Sequence, residues 1–448
     1  MLNKSSPVKS MRKILIGLVM CSAAFGAGCR HLELAPIPNV SGNAESFPYI
    51  LNWSDCVNFA KVEHPDLKVA NEVLRQAKAE AYKSISNFLP DISGSFDRRR
   101  KKSGSDGPFD SFTLATSASE KLFSGFENSG EVLRARRALR AEEFNYKDTE
   151  SRVAFDLRRA FIRLLHAQEL AVLRESIAER RKLNSEIVRL RYEAGREHRG
   201  SLKRAEANYT EAEFDVREAK RRIVVERNAL ARQIGGRYGI PLSVSGELAL
   251  IIPQQALSEP NFSESVEKIP KVQRRKALAD AESAQVIKKQ AAFWPTVDGS
   301  MGYSRTGANV AMDTESADLG FKVNVPLFSG GERFADLDSA RSSQREAFFT
   351  LKTERDGAYA DLVEKWEDFV SGLDALEVRR NFLDAAVERS EISSLQYQDG
   401  LVSFEDWDII EQELVNSRIS LLDAERDALL AETNWSRSLG FSFDAYHG

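Results

Sequence analysis

Cysteine is nearly missing from this chain, with three in 448 residues. Cys21 lies in an apolar leader and Cys56 stands alone, so there is no even set for a disulfide framework. No Cys/His spacing suits zinc. The five histidines, at 31, 64, 166, 198 and 447, are scattered without metal-ligand spacing. His166 falls within helical sequence, where packing or solvation accounts for it. No Walker loop, dinucleotide fingerprint or nucleophile elbow occurs. The sequence thus offers no catalytic residue, no metal site and no cofactor site, and it does not read as an enzyme. An excess of one charge is lacking too. Charged residues make up 29% yet nearly cancel, at −4, which excludes a bulk polycation built for nucleic acid. Nor is any stretch after residue 30 apolar over the ~18 residues that a spanning helix needs. If the chain crosses a membrane, it does so with strands.

What is present is a duplication. Phe88-Leu89-Pro90-Asp91 through Leu122-Phe123-Ser124-Gly125 returns as Phe293-Trp294-Pro295-Thr296 through Leu327-Phe328-Ser329-Gly330. The offset is 205, from Pro90 to Pro295, and it also carries Pro65 to Pro270, Tyr192 to Tyr397, Gly195 to Gly400 and Gly235 to Gly440. Matching turn residues over most of the chain, with no net gap, mark two copies of one unit. Repeat 1 is placed at 51–235 and repeat 2 at 263–440, with a linker at 236–262 and a tail at 441–448.

A leader precedes them: Lys4, Lys9, Arg12 and Lys13, an apolar run from Ile14 to Phe25, then small residues up to Cys29. This is an export signal over 1–28. It is either an ordinary cleaved signal or a lipoprotein signal, because Gly26-Ala27-Gly28-Cys29 resembles a lipobox, with Gly26 in the usual place of Leu. In lipoproteins the thiol of such a cysteine is diacylated and its new α-amine acylated, and several acyl chains hold far better than one. Arg30 follows instead of the Asp that retains some lipoproteins at the inner membrane, so the resemblance implies outer-membrane sorting. Residues 29–50, with Pro36, Pro38 and Pro48, read as an extended tether.

Within each repeat the pattern changes twice. Leu51 to Glu63 reads as a short helix capped by Ser54. Asp66 to Phe88 reads as a longer one, apolar at Leu67, Ala70, Val73, Leu74 and Ala77 and stopped by Pro90. Two strands follow, about 91–120, in which Phe112, Leu114 and Ala118 alternate with Ser111, Thr113, Ser117 and Ser119. Their copy, about 296–326, has Val297, Met301 and Tyr303, then Leu319, Phe321, Val323, Val325 and Leu327. Strands of ~10 residues suffice for a tilted membrane crossing. Alone, the pattern also suits a soluble hairpin packed on its own helices. Between the strands the run Arg98-Arg99-Arg100-Lys101-Lys102 suits either a solvated hairpin tip or contact with lipid phosphates.

After Gly125 the sequence stays helical to about Leu190, roughly 67 residues or 100 Å. Tyr192 to Gly195 break it, and a second helix runs from about Ser201 to Ile234. Its seam is Leu202, Ala205, Tyr209, Ala212, Val216, Ala219, Ile223, Glu226 and Leu230, with steps of three and four. That is a coiled-coil heptad. The offset gives Trp407, Ile410, Leu414, Ser417, Leu421, Ala424, Ala428, Ala431 and Trp435. Two short helices end to end beside one long helix would form a rod of even thickness.

This series resembles the TolC family of outer-membrane efflux channels over essentially all of the mature chain. The matching features are Phe-x-Pro before each strand pair, Leu-Phe-Ser-Gly at each return, and Tyr-x-x-Gly at each far tip. The resemblance implies a mainly α protein with transmembrane β. Long coiled-coil helical hairpins, duplicated, would form a periplasmic tunnel, and four β-strands per protomer would complete a 12-stranded barrel in a homotrimer. It implies an outer-membrane protein that extends into the periplasm, is lipid-anchored through Cys29 and conducts passively. The implied partners are other copies of the chain, a periplasmic adaptor, an inner-membrane pump and outer-membrane lipid, with no nucleic acid. Gate and adaptor-contact candidates carried over are Tyr192, Gly195, Tyr397, Asp399, Gly400, Ser403, Glu405 and Asp406. Strand–helix junctions are Pro90, Ser124, Gly125, Pro295, Ser329 and Gly330. Gly400-Leu401-Val402-Ser403 fits the family's tip pattern, and Gly195-Arg196-Glu197-His198-Arg199-Gly200 departs from it. Asp399, Glu405 and Asp406, repeated threefold, would ring a cation path, or else they cap helices. The competing class is an exported, lipid-anchored coiled-coil scaffold with no pore.

Overall fold

A computed structural model describes residues 50–101, 109–236, 238–246, 248 and 259–443. The leader, Cys29 and the tether up to residue 49 lie outside the described residues. So do 102–108 with Lys102, residues 237, 247 and 249–258 of the linker, and residues 444–448. The described elements all belong to the unit Tyr49–Gly448.

β1 (Ile50–Leu51) leads into α1 (Trp53–Glu63). The cap of α1 is Asn52 instead of the expected Ser54. Asn52 Oδ1 accepts from the Asp55 amide at 2.8 Å, and Asp55 accepts from the Asn52 amide at 3.2 Å. This reciprocal box satisfies two open amides where a lone serine satisfies one. α2 (Pro65–Ser86) starts on a proline, which lacks only an N–H that no intrahelical bond needs. It ends two residues before the expected Phe88, since extended geometry ahead of Pro90 unwinds the last turn. β2 (Asp91–Lys101) and β3 (Phe109–Phe123) follow. Next come α3 (Glu127–Glu193) and α4 (Arg199–Gln233).

β4 (Ser243–Val244) pairs in parallel with β1. The second repeat holds α5 (Phe262–Val266), α6 (Pro270–Gln290), a 3-10 turn at Ala291–Phe293, β5 (Thr296–Gly307) and β6 (Thr314–Asn324). It closes with α7 (Glu332–Asp399) and α8 (Phe404–Ser438). With 67 and 68 residues, α3 and α7 are each roughly 100 Å long.

α2 and α4 both pack along α3, and α6 and α8 both pack along α7. The short helices meet end to end. Gly235 (φ +101°) lies against Glu63, and its counterpart Gly440 (φ +77°) lies against Pro270, each without room for a Cβ. Both ends close the same way, with the Gly236 amide on the Ala231 carbonyl (2.8 Å) and the Phe441 amide on that of Ser436 (3.1 Å). Left-handed backbone makes that closure, and only glycine takes it without strain.

The core is duplicated as well. Leu362, Trp366, Phe369 and Trp435 form a buried cluster with Val266, Ile269 and Val272. At the same offset Leu157, Phe161, Leu164 and Leu230 are buried in repeat 1. Each such side chain contributes about 1.5–3 kcal/mol. α3 additionally packs on α6 and α8, which locks the two repeats together.

Candidate functional site

The four long strands form one antiparallel sheet in the order β2-β3-β5-β6. They are not two hairpins folded back on their own helices. Ala118 stands opposite Ile92 and Met301, and Met301 opposite Leu319. Side chains alternate between faces, so the register fixes what each face carries. One face holds Ile92, Phe96, Phe112, Leu114, Ala118, Val297, Met301, Tyr303, Leu319, Phe321 and Val323, with Thr116 and Glu120 between them. The other holds Ser93, Ser95, Asp97, Thr113, Ser117, Ser119, Asp298, Ser300, Ser304, Ser316, Asp318 and Lys322. The large apolar side chains Ile92, Phe96, Leu114, Met301, Leu319, Phe321 and Val323 are exposed. At the loop end of the apolar face, Arg98 meets Asp110 at 3.2 Å and Arg305 meets Glu315 at 3.3 Å. No helix among the described residues is long and apolar enough to cross a membrane.

The junction residues sit where strands become helices. Pro90 and Pro295 directly precede β2 and β5, and Trp294 has the extended backbone (ψ 152°) that a following proline imposes. Ser124 is buried and its Oγ accepts from the Asn128 amide at 3.2 Å, while Asn128 donates to the Asn87 carbonyl at 2.7 Å. Gly125 and Gly330 have φ of +61° and +63°. A Cβ on Gly125 would stand 2.7 Å from both Ala291 O and Trp294 Cβ, whereas a Cβ on Gly330 would meet nothing within 4 Å. Ser329 accepts from the Glu332 amide through its carbonyl (3.2 Å).

At the far end the two helical hairpins touch. Gly195 (φ +73°) and Gly400 (φ +80°) close α3 and α7. The Arg196 amide reaches the Arg191 carbonyl (2.8 Å), and the Leu401 amide reaches that of Gln396 (2.8 Å), which is the same bond 205 residues on. Tyr397 is 1% exposed and packs with Val188, Leu202, Ala205, Phe404 and Trp407. Arg191 crosses from repeat 1 to repeat 2. It donates to the carbonyls of Tyr397 (2.8 Å) and Gln398 (3.1 Å), with its guanidinium 4.7 Å from the Tyr397 ring centre. The Tyr397 hydroxyl donates back to Glu197 Oε2 at 3.1 Å. Burial and the Glu197 charge push that hydroxyl's pKa up. Burial works to raise the Glu197 carboxyl, but bonds from the His198 amide and the Ser201 and Tyr397 hydroxyls outweigh it and hold it below the usual range.

Of the remaining tip candidates, Tyr192 is partly exposed and its carbonyl accepts from the Gly195 amide at 3.0 Å. Ser403 caps α8, accepting from the Asp406 amide at 3.1 Å and donating to Asp406 Oδ2 at 2.8 Å. Glu405 lies 3.7 Å from His198 Nε2. Asp399 ends α7. The structure therefore brings Tyr397 together with Arg191 and Glu197, and it places Ser403, Glu405 and Asp406 on the exposed first turn of α8.

One tier behind the tip, Arg180 grips Glu411 through two nitrogens, at 2.6 and 2.7 Å, and also donates to Ser390 at 2.7 Å. Ser390 and Asn184 donate to Glu411 at 2.6 and 3.0 Å. Burial opposes the charge on Glu411, yet Arg180, Ser390 and Asn184 together keep its carboxyl below the usual range. Alongside, Arg181 donates to Asp408 (3.1 Å) and Gln412 (2.6 Å), and Asn208 to Asp408 (2.8 Å). These cross-hairpin partners escape sequence reasoning. Glu411 lies one residue off the seam and reads as surface charge. Arg191 has a local signal only in standing next to the Tyr192 motif.

A family model described as outer membrane efflux protein matches the chain twice, over 57–236 and 262–440. The outer membrane efflux protein BepC of Brucella suis biovar 1 (strain 1330) is 22% identical over 356 residues, 77% of this chain and 76% of the relative. The cation efflux system protein CusC of Escherichia coli (strain K12) is 22% identical over 409 residues, 86% of this chain and 85% of the relative. A crystal structure of CusC has a TM-score of 0.79 at 16% identity, covering 89% of this chain and 94% of that one. With both repeats matched, the chain belongs to the outer membrane efflux protein family, the TolC-type channels that its repeated motifs resemble.

Proposed function

We propose that three copies of this chain form an outer-membrane channel. The channel passively conducts cargo delivered by an inner-membrane pump and a periplasmic adaptor, in a tripartite efflux or type I secretion system. The observation that carries this reading is the sheet, with one face apolar, the other polar, and the edge strands β2 and β6 each paired on one side only among the described residues. Such a sheet suits lipid on one side and water on the other. An open edge in hydrocarbon leaves backbone groups unsatisfied at several kcal/mol each. Four strands cannot close on themselves, whereas three copies supply twelve. The apolar face then meets lipid and the polar face lines the lumen.

The hairpins α3–α4 and α7–α8, roughly 100 Å long, carry the conduit through the periplasm. Arg191, Tyr397 and Glu197 tie the hairpins at their tips and hold the far mouth narrow. Tyr192, Gly195, Asp399, Gly400, Ser403, Glu405 and Asp406 sit where an adaptor reaches. The capping bonds of Ser403 with Asp406 support a structural role for that carboxylate. Cys29, acylated, anchors the chain to outer-membrane lipid. Conduction needs no bond making, so the energy comes from the pump.

Conductance across planar bilayers tests the reading. The full chain gives a steady conductance and a chain lacking 91–120 and 296–326 gives none. A protein that stays a single chain in detergent and opens no pore is the lipid-anchored scaffold instead.

A further inference from the structure

The apolar face of the sheet changes character at one end. The register places Arg98 and Arg100 of β2 and Arg305 of β5 on it, just beyond Phe96, Leu114 and Tyr303. Among the described residues these are the only basic side chains on that face, and all three lie at the loop end. Alternation puts Arg99 on the polar face, so the basic run of the sequence divides between the two. The end nearest the helices carries an aromatic chain instead. Phe123, Phe126 and Trp294 meet edge to face, with ring centres 5.6 and 6.0 Å apart.

Position along the strand sets the depth. Arg305 stands eight residues beyond Val297 on β5, about 26 Å along the strand and about 20 Å in depth at the usual tilt. The apolar band of a membrane barrel is about 25 Å tall. Arg305 therefore falls near the rim of the hydrocarbon, where long cationic side chains reach the headgroups.

Ion pairs orient these arginines without exhausting them. Asp110 is shared, 3.2 Å from Arg98 and 4.0 Å from Arg100. Arg305 faces Glu315 through Nε at 3.3 Å, which leaves its two terminal nitrogens uncommitted. A guanidinium offers five N–H donors in a fork that fits phosphate. The Arg98 guanidinium also lies 5.4 Å from the centre of the Phe112 ring, which holds it against the apolar surface. The side chains of Arg98 and Arg100 are 61% and 69% exposed, so a ligand reaches them. Strand spacing and rise put the Cα atoms of Arg98 and Arg305 about 12 Å apart, within reach of one headgroup.

We propose that Arg98, Arg100 and Arg305 bind the phosphate of a lipid headgroup whose acyl chains lie on Phe96, Phe112 and Leu114. This rests on the membrane placement proposed above and adds the headgroup chemistry and its site. Three cations against two carboxylates leave a positive excess for the phosphate. The exposed apolar side chains that adjoin them match the tails, which a soluble anion lacks.

The full chain in mixed micelles of phosphatidylcholine and phosphatidic acid tests it, with the lipids that stay bound read by native mass spectrometry. Phosphatidic acid is expected to be retained several-fold over phosphatidylcholine. The triple variant Arg98→Gln, Arg100→Gln, Arg305→Gln loses that preference, while Arg75→Gln, on an exposed pair of α2, keeps it. Should the triple variant not fold, Asp110→Asn with Glu315→Gln decides. Freeing the guanidiniums raises retention several-fold, whereas no gain means that the arginines only pin the strands and overturns the proposal. Excess inorganic phosphate leaves the bound lipid in place, and its displacement would overturn the proposal in favour of a soluble-anion site. Equal retention of both lipids by a wild type that conducts in planar bilayers overturns the headgroup site alone. A wild type that neither conducts nor retains either lipid overturns the channel reading as well.

Discussion

Tyr397 lies flat on Trp407, with ring centres 4.3 Å apart and planes within 8°. The stack fills the tip of the second hairpin and backs onto Val188 and Leu202 of the first. Trp407→Ala is expected to cost about 3–5 kcal/mol, as for other buried aromatics. The loss is local, so hydrogen exchange should speed up at 188–205 and 397–407 while the far sheet stays protected.

Arg191 holds the carbonyls of Tyr397 and Gln398 from the neighbouring hairpin. Hydrogen bonds to a charged group contribute about 1.5–3 kcal/mol. Arg191→Ala should therefore loosen the tip and raise single-channel conductance several-fold in planar bilayers. An unchanged conductance would place the constriction elsewhere.

Glu411 is 1% exposed and bound by Arg180, whose side chain is 35% exposed. Removing one partner of a buried pair costs about 3–5 kcal/mol, and Arg180 has partial access to water, so Glu411→Ala belongs near the lower end, about 3 kcal/mol. Chemical denaturation in detergent measures it, with Glu413→Ala, on an exposed pair, as a control within about 1 kcal/mol.

Acid should weaken the join between repeats. The Arg134 guanidinium, bonded to both carboxylate oxygens at 2.6 and 3.1 Å, and then Lys288, hold the Glu131 carboxyl at about 2 against the opposing pull of burial. A depressed carboxyl stabilises the fold fully above its usual value and loses that contribution as pH falls through its folded value. The stability difference between the wild type and Glu131→Gln should therefore be full above about pH 4.5 and shrink toward pH 2. A difference that grows on acidification contradicts this.

Glycines with the same backbone should not tolerate alanine equally. Gly195 and Gly440 both have φ near +75°, but a Cβ on Gly195 meets nothing and one on Gly440 collides with the Pro270 ring. Gly195→Ala should cost about 1–2 kcal/mol of backbone strain. Gly440→Ala adds a clash, for about 2–5 kcal/mol in all. Thermal unfolding of the two variants side by side measures the gap.

Much of this fold is legible because the chain states it twice. The glycines at 125, 195 and 235, with their copies, mark helix ends that need left-handed backbone, and local sequence carries that need. Strand alternation likewise fixes which face is apolar. The tip is harder to read. Arg191 meets Tyr397 from 206 residues away, and Arg180 meets Glu411 from 231, so no periodicity within a helix points to either. The seam of α8 was also only half visible. Glu411, Val415, Leu422 and Leu429 lie off the heptad yet are buried, because α8 packs on α3 as well as on α7. The cap of α1 moved to Asn52 for a similar reason, since a box needs both Asn52 and Asp55 and either alone is unremarkable.

The central claim is that one face of the sheet meets lipid and the other meets water. Single cysteines at Ile92, Leu319 and Phe321, and others at Ser117, Ser304 and Ser316, can be exposed to a water-soluble thiol reagent in reconstituted membranes. The first set should stay unlabelled and respond to lipid-borne quenchers, while the second set is labelled through the lumen. Equal labelling of both sets by the water-soluble reagent would contradict the account.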